Sequence, residues 1–214
     1  MKRVMLYIKE IWRCKDLYRI FMNIECSKHA LRGKTADIGS GSSRASYHRF
    51  FSVEKGVEIL ALDRQISPID FERDRLPYPD TSVDTILVFN VFEHIYNYSA
   101  LVSEIKRVLR PGGRIYGAVP FLVGFHPDPQ DFWRYTSSAL KAVFKSSGFN
   151  DIEIKILGSG PFTASFFQIE FMAPRILKII ILPLLFLLDF LFLKLKPGIY
   201  PEKFALGLFF TFRK

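Results

Sequence analysis

Short apolar runs alternate with amphipathic segments between residues 34 and 157, and this alternation constrains the fold more than any other feature. Four runs have the length and apolar content of buried strands: residues 35–38, 57–62, 83–89 and 114–120. Three segments show helical periodicity, at 43–52, 97–109 and 137–147. Strands that alternate with helices pair in parallel, and the helices cover both faces of the sheet. We predict two further strands of this sheet at 152–157 and 204–212.

The first run leads into a glycine loop with the sequence Asp37-Ile38-Gly39-Ser40-Gly41, followed by Ser42, Ser43 and Arg44. A dinucleotide fingerprint needs a third glycine where Arg44 stands, and no Gly-Lys-Ser/Thr follows as in a P-loop. The Asp37 carboxylate would repel a pyrophosphate but can accept hydrogen bonds from an ammonium group. Asp63 ends the next strand, about where an acid binds the ribose hydroxyls of a nucleoside. The loop therefore favours a ligand with an amino-acid head group.

The net charge of +9 lies on the two ends of the 214-residue chain. Residues 1–34 contain nine Lys and Arg against three acids, and residues 171–214 contain seven against two. Both ends are also rich in large apolar residues, and this mixture suits an anionic membrane surface better than a nucleic-acid groove. We therefore predict peripheral contact with an anionic membrane and no nucleic-acid partner.

Apolar residues recur at helical spacing over residues 3–26, which predicts one basic N-terminal helix. Cys14 and Cys26 would lie roughly 18 Å apart on this helix, too far for a disulfide. Their spacing is not a metal-ligand pattern either, so we predict reduced thiols and no metal site. Charged residues between Lys9 and Asp16 interrupt any signal-peptide core, so we expect a cytoplasmic location, peripheral at the inner face of the membrane.

Four stretches, in order, resemble the motifs of class I S-adenosylmethionine-dependent methyltransferases. They are the loop at 37–41, LPYPDTSVDTILVFNVFEHI at 76–95, EIKRVLRPGGRIYGAVPF at 104–121 and HPDPQDFWRYTSSALKAVFKSSGF at 126–149. The last stretch is similar to the type 11 subset, many members of which are found with bacterial surface-glycan genes. The resemblance covers residues 34–157 and the final strand, more than half of the chain.

This resemblance implies an α/β fold with a Rossmann-like, mostly parallel sheet of seven strands, helices on both faces and an antiparallel last strand. It implies a methyltransferase domain at 34–214, preceded by a basic amphipathic helical region at 1–33. An apolar helical insertion at about 158–203 would precede the last strand. The implied cofactor is S-adenosylmethionine, and the implied activity is transfer of its methyl group.

The resemblance also assigns cofactor contacts to individual residues. They are Asp37, Gly39 and Gly41 for the methionine part, Asp63 for the ribose, Asp70 for the adenine amino group, and Asn90 and Glu93 for the methionine and acceptor side. Glu72 or Asp74 could take the place of Asp70. Ser43 stands where the family usually has a third glycine, which narrows the loop without adding charge.

Methyl transfer needs a general base only when the acceptor is a protonated nucleophile such as a hydroxyl. His94 and His126 are the candidate catalytic residues, because each follows one of the last two parallel strands. For His94 the alternative is a structural hydrogen bond that orients the strand-to-helix turn.

The loop 121–136 is predicted to form the acceptor wall. Its substrate-binding candidates are Trp133 and Tyr135, which offer flat surfaces for stacking, and Arg134, which can bind a phosphate or carboxylate. The alternative is that the aromatic residues cap the sheet and that Arg134 pairs with Asp131.

The segment ILKIIILPLLFLLDFLFL at 176–193 has 16 apolar or proline residues among 18, just long enough for a transmembrane helix. A single crossing would separate the final strand from its sheet, and Pro183 and Asp189 also disfavour a span. Three alternatives remain: a bent helix in the membrane interface, core packing against the N-terminal helix, or an oligomer contact.

These features predict an O-methyltransferase for a sugar, a glycan or a lipid-linked small molecule near the cytoplasmic membrane face. The alternatives are C-methylation of an isoprenoid quinone precursor and a non-catalytic binding protein of the same fold. A nucleic-acid base methyltransferase is less favoured, because amino-methylating enzymes carry Asn/Asp-Pro-Pro-Tyr/Phe where this chain has Asn90-Val91-Phe92-Glu93.

Overall fold

The computed structural model describes residues 2–41, 45–63, 66 and 69–214. The helices are α1 Lys2–Trp12, α2 Leu17–Cys26, α3 Tyr98–Val108, α4 Ser137–Ser146, α5 Pro161–Phe167 and α6 Arg175–Leu195. The strands are β1 Ala30–Leu31, β2 Lys34–Ile38, β3 Ser52–Val53, β4 Glu58–Leu62, β5 Val83–Phe89, β6 Leu109–Pro120, β7 Asn150–Leu157 and β8 Gly207–Arg213. Short 3-10 helices occur at His48–Phe50, Phe92–His94, Glu170–Met172 and Pro201–Phe204.

The main sheet contains six strands in the order β4-β2-β5-β6-β8-β7. β4, β2, β5 and β6 run parallel, and β8 pairs antiparallel with both β6 and β7. All six apolar runs that predicted strands form them, and the Rossmann-like sheet with an antiparallel last strand is confirmed.

The predicted seventh strand is absent from the described part of the chain, where β4 forms the edge of the sheet. The described residues between β4 and β5 form turns and irregular structure instead. The backbone N–H of Asp70 donates to the Asp74 carboxylate, and Glu72 accepts from the backbone N–H groups of Tyr96 and Asn97. Prolines at 77 and 79 also lack the N–H that a ladder needs.

Side chains alternate between two cores on opposite faces of the sheet, as the pleat of a strand requires. In β5, Ile86 and Val88 enter the core that α3 and α4 cover, whereas Leu87 and Phe89 enter the core that α1, α2, α5 and α6 cover. Both faces are therefore covered by helices, as predicted.

The N-terminal segment forms two helices and not the single helix predicted over 3–26. Cys14 lies between them with a φ of 57°, and Asp16 caps α2 by accepting from Arg19 N at 2.6 Å. Both cysteines are free. α2 buries Leu17 and Ile20 in a core that it shares with the sheet. The predicted domain boundary at residue 33 stays a prediction.

The helix predicted at 43–52 is reduced to one 3-10 turn at His48–Phe50 in the described residues. Phe51 has an extended backbone, and the following strand β3 pairs in parallel with β1. The backbone groups that would form the hydrogen bonds of a longer helix therefore bond to another strand. Arg44, which argued against a dinucleotide fingerprint, and Ser43, which replaces the family's third glycine, lie outside the described residues.

The apolar helix α6 precedes β8, as predicted, and is long and apolar enough to cross a membrane by length and composition alone. Its Asp189 is fully buried and accepts hydrogen bonds from Phe162 N at 2.7 Å and Thr163 Oγ1 at 2.6 Å. Asp189 therefore satisfies the N-terminus of α5. Leu182 is buried on the same side, whereas only 11% of the most apolar window of α6 is buried.

Candidate active site

A cleft of about 130 Å³ opens at the carboxyl ends of β4, β2 and β5. In parallel α/β sheets ligands bind at this edge, where the direction of strand order reverses. The strand order reverses at β2, which lies between β4 and β5 although it precedes both in the chain. The lining residues are Gly39, Gly41, Asp63, Phe71, Asn90, Val91, His94, Ile95 and Asp128.

The glycine loop lines the cleft with a backbone that needs glycine. Gly39 and Gly41 have φ values of 71° and 65°, which L side chains rarely adopt. A Cβ on Gly39 would lie 2.4 Å from Cγ2 of Val91, so the chain following β5 packs directly on this backbone. Gly39 N donates to the Leu62 carbonyl at 2.7 Å, and Gly41 N donates to Oδ2 of Asp63 at 2.8 Å. These two hydrogen bonds join the glycine loop to the end of β4, so that together they form one wall of the cleft.

Asp37 lies beneath the loop and not in the cleft where it was predicted to face the cofactor. Its carboxylate is fully buried and accepts from Tyr47 Oη at 2.6 Å and lies 2.5 Å from His48 Nε2. Burial raises the pKa of Asp37, and the bonds to His48 and Tyr47 oppose that rise. Asp37 therefore holds the segment after the loop against β2.

Asn90 directly follows β5 and lines the cleft, and its predicted contact with the cofactor stays a prediction. Its φ of 54° turns the chain, and its backbone N–H stays bonded to the Ala118 carbonyl at 2.9 Å. The side-chain oxygen of Asn90 accepts a hydrogen bond from the Tyr18 hydroxyl of α2. The N-terminal helices therefore help to orient a residue of the cleft.

None of the three acids predicted for the adenine end lines the cleft. Asp70 is part-exposed and accepts from Glu72 N at 3.0 Å, and Glu72 and Asp74 accept the backbone hydrogen bonds described above. Phe71, only 6% exposed, lines the cleft at this position. Sequence reasoning sought a hydrogen-bond acceptor here and missed the aromatic residue next to Asp70.

Glu93, His94 and His126 form one cluster at the other end of the cleft. Oε1 of Glu93 lies 3.9 Å from His94 Nε2 and 3.8 Å from His126 Nε2, and the two rings are 5.3 Å apart. Glu93 is fully buried, whereas His94 lines the cleft. The carboxylate of Glu93 raises the pKa of His126, partly offset by burial. The two candidate bases, from different loops, are thus brought together.

Two of the three predicted acceptor residues are committed to the protein itself. Arg134 donates to Oδ1 and Oδ2 of Asp131 at 2.5 and 2.7 Å and to the carbonyls of Val123 and Trp133. Tyr135 is 5% exposed and belongs to the core. The alternative, in which Arg134 pairs with Asp131 and the aromatic residues cap the sheet, describes both residues better.

Trp133 is the remaining candidate, and contacts within the protein already fix its ring. Its indole N–H donates to the Ile95 carbonyl at 3.0 Å, and its ring stacks on Tyr96 with centroids 5.9 Å apart. Tyr96 and Phe132 are 63% and 43% exposed, so they offer the accessible aromatic surface. Tyr96 lies outside the loop 121–136, which is why sequence reasoning missed it.

Comparisons with known proteins match the part of the chain that builds this cleft. Residues 36–117 match the family model of the type 11 methyltransferase domain. A probable S-adenosylmethionine-dependent methyltransferase of Mycobacterium tuberculosis is 32% identical over 92 residues, 40% of this chain and 34% of that protein. Another from Mycolicibacterium smegmatis is 46% identical over 52 residues, 24% of this chain and 20% of that protein. The chain spans about a third or less of these relatives.

Solved structures resemble about nine tenths of the chain. The complex between the Haloferax volcanii Trm112 methyltransferase activator and a putative methyltransferase matches with a TM-score of 0.54 at 15% identity, over 90% of this chain and 88% of that one. A SAM-dependent methyltransferase from Archaeoglobus fulgidus matches with a TM-score of 0.50 at 14% identity, over 92% of both chains. The fold is therefore the α/β fold of these methyltransferases, and the two curated relatives are both described as probable S-adenosylmethionine-dependent enzymes.

Proposed function

We propose that this chain, with its type 11 methyltransferase domain, is an S-adenosylmethionine-dependent O-methyltransferase for a sugar, glycan or lipid-linked small molecule at the cytoplasmic membrane face. The observation that carries the methyltransferase activity is the cleft at the reversal of strand order. Gly39, Gly41, Asp63 and Asn90 line it from three neighbouring strand ends, within the segment that matches the family.

The residues present fit this cofactor. The glycine backbone permits close approach, Asp63 supplies a carboxylate for ribose hydroxyls, and Phe71 offers a flat surface to the adenine ring. When bound, S-adenosylmethionine supplies a methyl group activated by its sulfonium, so that positioning of the acceptor does most of the work. His94 lines the same cleft and has its Nδ1 held by the Gln130 carbonyl at 2.6 Å, which leaves Nε2 to accept an acceptor proton.

Cofactor binding is tested by calorimetry with S-adenosylmethionine and S-adenosylhomocysteine. We expect Asp63→Asn to weaken binding roughly 10- to 100-fold, because a hydrogen bond to a charged group contributes about 1.5–3 kcal/mol. The control is Glu58→Gln, an exposed acid at the opposite end of the same strand, which should bind as wild type. Failure of the wild type to bind either compound would favour the non-catalytic alternative.

The membrane part of the proposal is supported by an exposed apolar stripe on α6. Ile176, Ile180, Leu184 and Leu187 are 66%, 66%, 56% and 53% exposed and recur at helical spacing. The neighbouring α1 exposes Met5, Ile8 and Trp12, and Arg175 lies over the Trp12 ring. An apolar stripe bordered by Arg and Lys suits an anionic membrane interface. The alternative of core packing explains only the opposite, buried face of α6 and leaves the exposed stripe unexplained.

Sedimentation with anionic liposomes tests this surface. Replacing Ile180, Leu184 and Leu187 by Ser should abolish sedimentation, whereas Val53→Ser, an exposed apolar residue on β3, should leave it unchanged. Equal partition of all three proteins would refute membrane contact. A dimer that the triple variant disrupts in the absence of lipid would identify an oligomer contact instead.

The exposed apolar surface is equally compatible with an isoprenoid acceptor, so C-methylation of a quinone precursor remains the second candidate. Mass spectrometry of glycans, lipids and quinones from cells with and without the gene separates the two. A mass difference of one methylene in a glycan or its lipid-linked precursor supports the proposal, and one confined to quinones supports the second candidate.

A further inference from the structure

Among the residues that the structure describes, the buried carboxylate of Glu93 has no hydrogen-bond partner. Its side chain has no exposed surface, and neither Oε1 nor Oε2 forms a hydrogen bond. Removing a carboxylate from water without compensation is costly, and such groups in folded proteins are paired, protonated or bound to a metal.

The two histidines next to Glu93 present lone pairs to it. His94 Nδ1 lies 2.6 Å from the Gln130 carbonyl, and His126 Nδ1 lies 2.8 Å from the Gly124 carbonyl. A carbonyl only accepts, so each Nδ1 carries a hydrogen, and in the neutral form of each ring the lone pair is on Nε2. Both Nε2 atoms lie 3.8–3.9 Å from Oε1 of Glu93, beyond hydrogen-bond distance.

We infer that Glu93, His94 and His126 bind one divalent first-row transition-metal ion. The three donor atoms lie within 4.8 Å of one another. Ligands at about 2.0–2.2 Å from a common ion lie at most about 4.4 Å apart, so small movements complete the site. Two imidazoles and a carboxylate suit Mn, Fe, Co or Zn, whereas Mg and Ca prefer oxygen ligands alone.

The surroundings of the cluster match those of metal-binding histidines. A ligating histidine donates its other ring N–H to a carbonyl or carboxylate, as His94 and His126 do here. Asp131 is not a fourth ligand, because its oxygens accept from Arg134 and from the backbone N–H of His126. The guanidinium of Arg134 lies 3.5 Å from His126 Nδ1, on the ring edge away from Nε2. A proton on His126 is the competitor of the metal, so binding weakens as pH falls.

The role of this ion rests on the proposed function. Because His94 lines the cleft proposed for the cofactor, an ion in the cluster would lie at the border of that cleft. A bound ion would lower the pKa of a coordinated acceptor hydroxyl, whose proton would pass to solvent. Methyl transfer would then form the O–CH₃ bond as the S–CH₃ bond breaks, with the electron pair of that bond neutralising the sulfonium. With the ion bound, the Nε2 lone pair of His94 is a metal ligand, so the ion replaces His94 as the group that promotes loss of the acceptor proton.

Titration of the chelator-treated full chain with Co²⁺ tests the site, because visible absorption reports coordination by imidazole and carboxylate. We expect one ion per chain in the wild type. His94→Gln, His126→Gln and Glu93→Gln should each weaken binding at least roughly tenfold. His29→Gln is the matched control, because His29 stacks on Phe209 outside the cluster, and it should bind as wild type.

Two measurements keep the outcomes separate. The metal-free Glu93→Gln variant should melt at or above the wild-type temperature, because it loses an uncompensated buried charge, so its lost binding cannot be ascribed to unfolding. Absence of Co²⁺ binding in the wild type would overturn the inference. Co²⁺ binding by the three cluster variants with the same affinity as the wild type would overturn it as well. S-adenosylhomocysteine affinity, measured without metal, reports on the proposed function independently of that result.

Discussion

Replacing Gly39 by Ala tests whether the close packing of the glycine loop on Val91 builds the cleft. The new Cβ would lie 2.4 Å from Cγ2 of Val91, and the backbone φ of 71° adds strain for any L side chain. The left-handed backbone costs about 1–2 kcal/mol and the overpacking about 1–3 kcal/mol. We therefore expect the free energy of unfolding to fall by about 2–5 kcal/mol, together with loss of S-adenosylhomocysteine binding.

Two matched variants divide this loss into its parts. Gly41→Ala has the same strain, with a φ of 65°, but its Cβ meets none of the described residues within 4 Å, so it should cost about 1–2 kcal/mol only. Gly198→Ala has neither strain nor a close neighbour and should change stability by less than about 1 kcal/mol. Urea unfolding of each variant gives these values.

A double-mutant cycle with Val91→Ala isolates the contact itself. Val91→Ala removes the methyl group that the new Cβ meets, so the double variant should be less destabilised than the sum of the single variants by about 1–3 kcal/mol. Additive values would refute the contact as the cause, and equal losses for Gly39→Ala and Gly41→Ala would assign the whole effect to backbone strain.

Two further predictions concern the stability of the elements around the cleft. Asp189→Ala should lower the free energy of unfolding in urea by roughly 2–4 kcal/mol, because the buried N-terminus of α5 loses its acceptor, whereas the exposed Glu54→Ala should be nearly neutral. Arg134 holds the pKa of Asp131 at about 2, below its ordinary 3.8. A carboxylate whose pKa is lower in the folded protein than in the unfolded chain stabilises the fold at pH values above its unfolded pKa. This stabilisation is lost as the pH falls through its folded pKa. The stability advantage of the wild type over Asp131→Asn should therefore shrink by roughly 2 kcal/mol between pH 5 and pH 2, and a difference independent of pH would refute the pairing.

Local patterns were sufficient for the elements of the sheet. Apolar runs of strand length and the intervening helical periodicity predicted all six main strands, together with α3 and α4, because burial on both faces leaves a clear signal in a short window. The predicted helix at 43–52 failed because its continuation pairs β3 with β1, a contact between segments about 20 residues apart.

For the cleft, the resemblance selected Gly39, Gly41, Asp63 and Asn90, and all four line it because they follow strands whose carboxyl ends lie at one edge of the sheet. The orientation of side chains depended on partners distant in the chain. Tyr47 and His48 hold Asp37 beneath the loop, and the indole of Trp133 binds the Ile95 carbonyl. Glu93 and His126, 33 residues apart, meet because the loops after β5 and β6 follow adjacent parallel strands. Strand-forming tendencies act within a few residues and are legible in the chain, whereas hydrogen-bond partners and ligand clusters exist only once the sheet has placed those loops together.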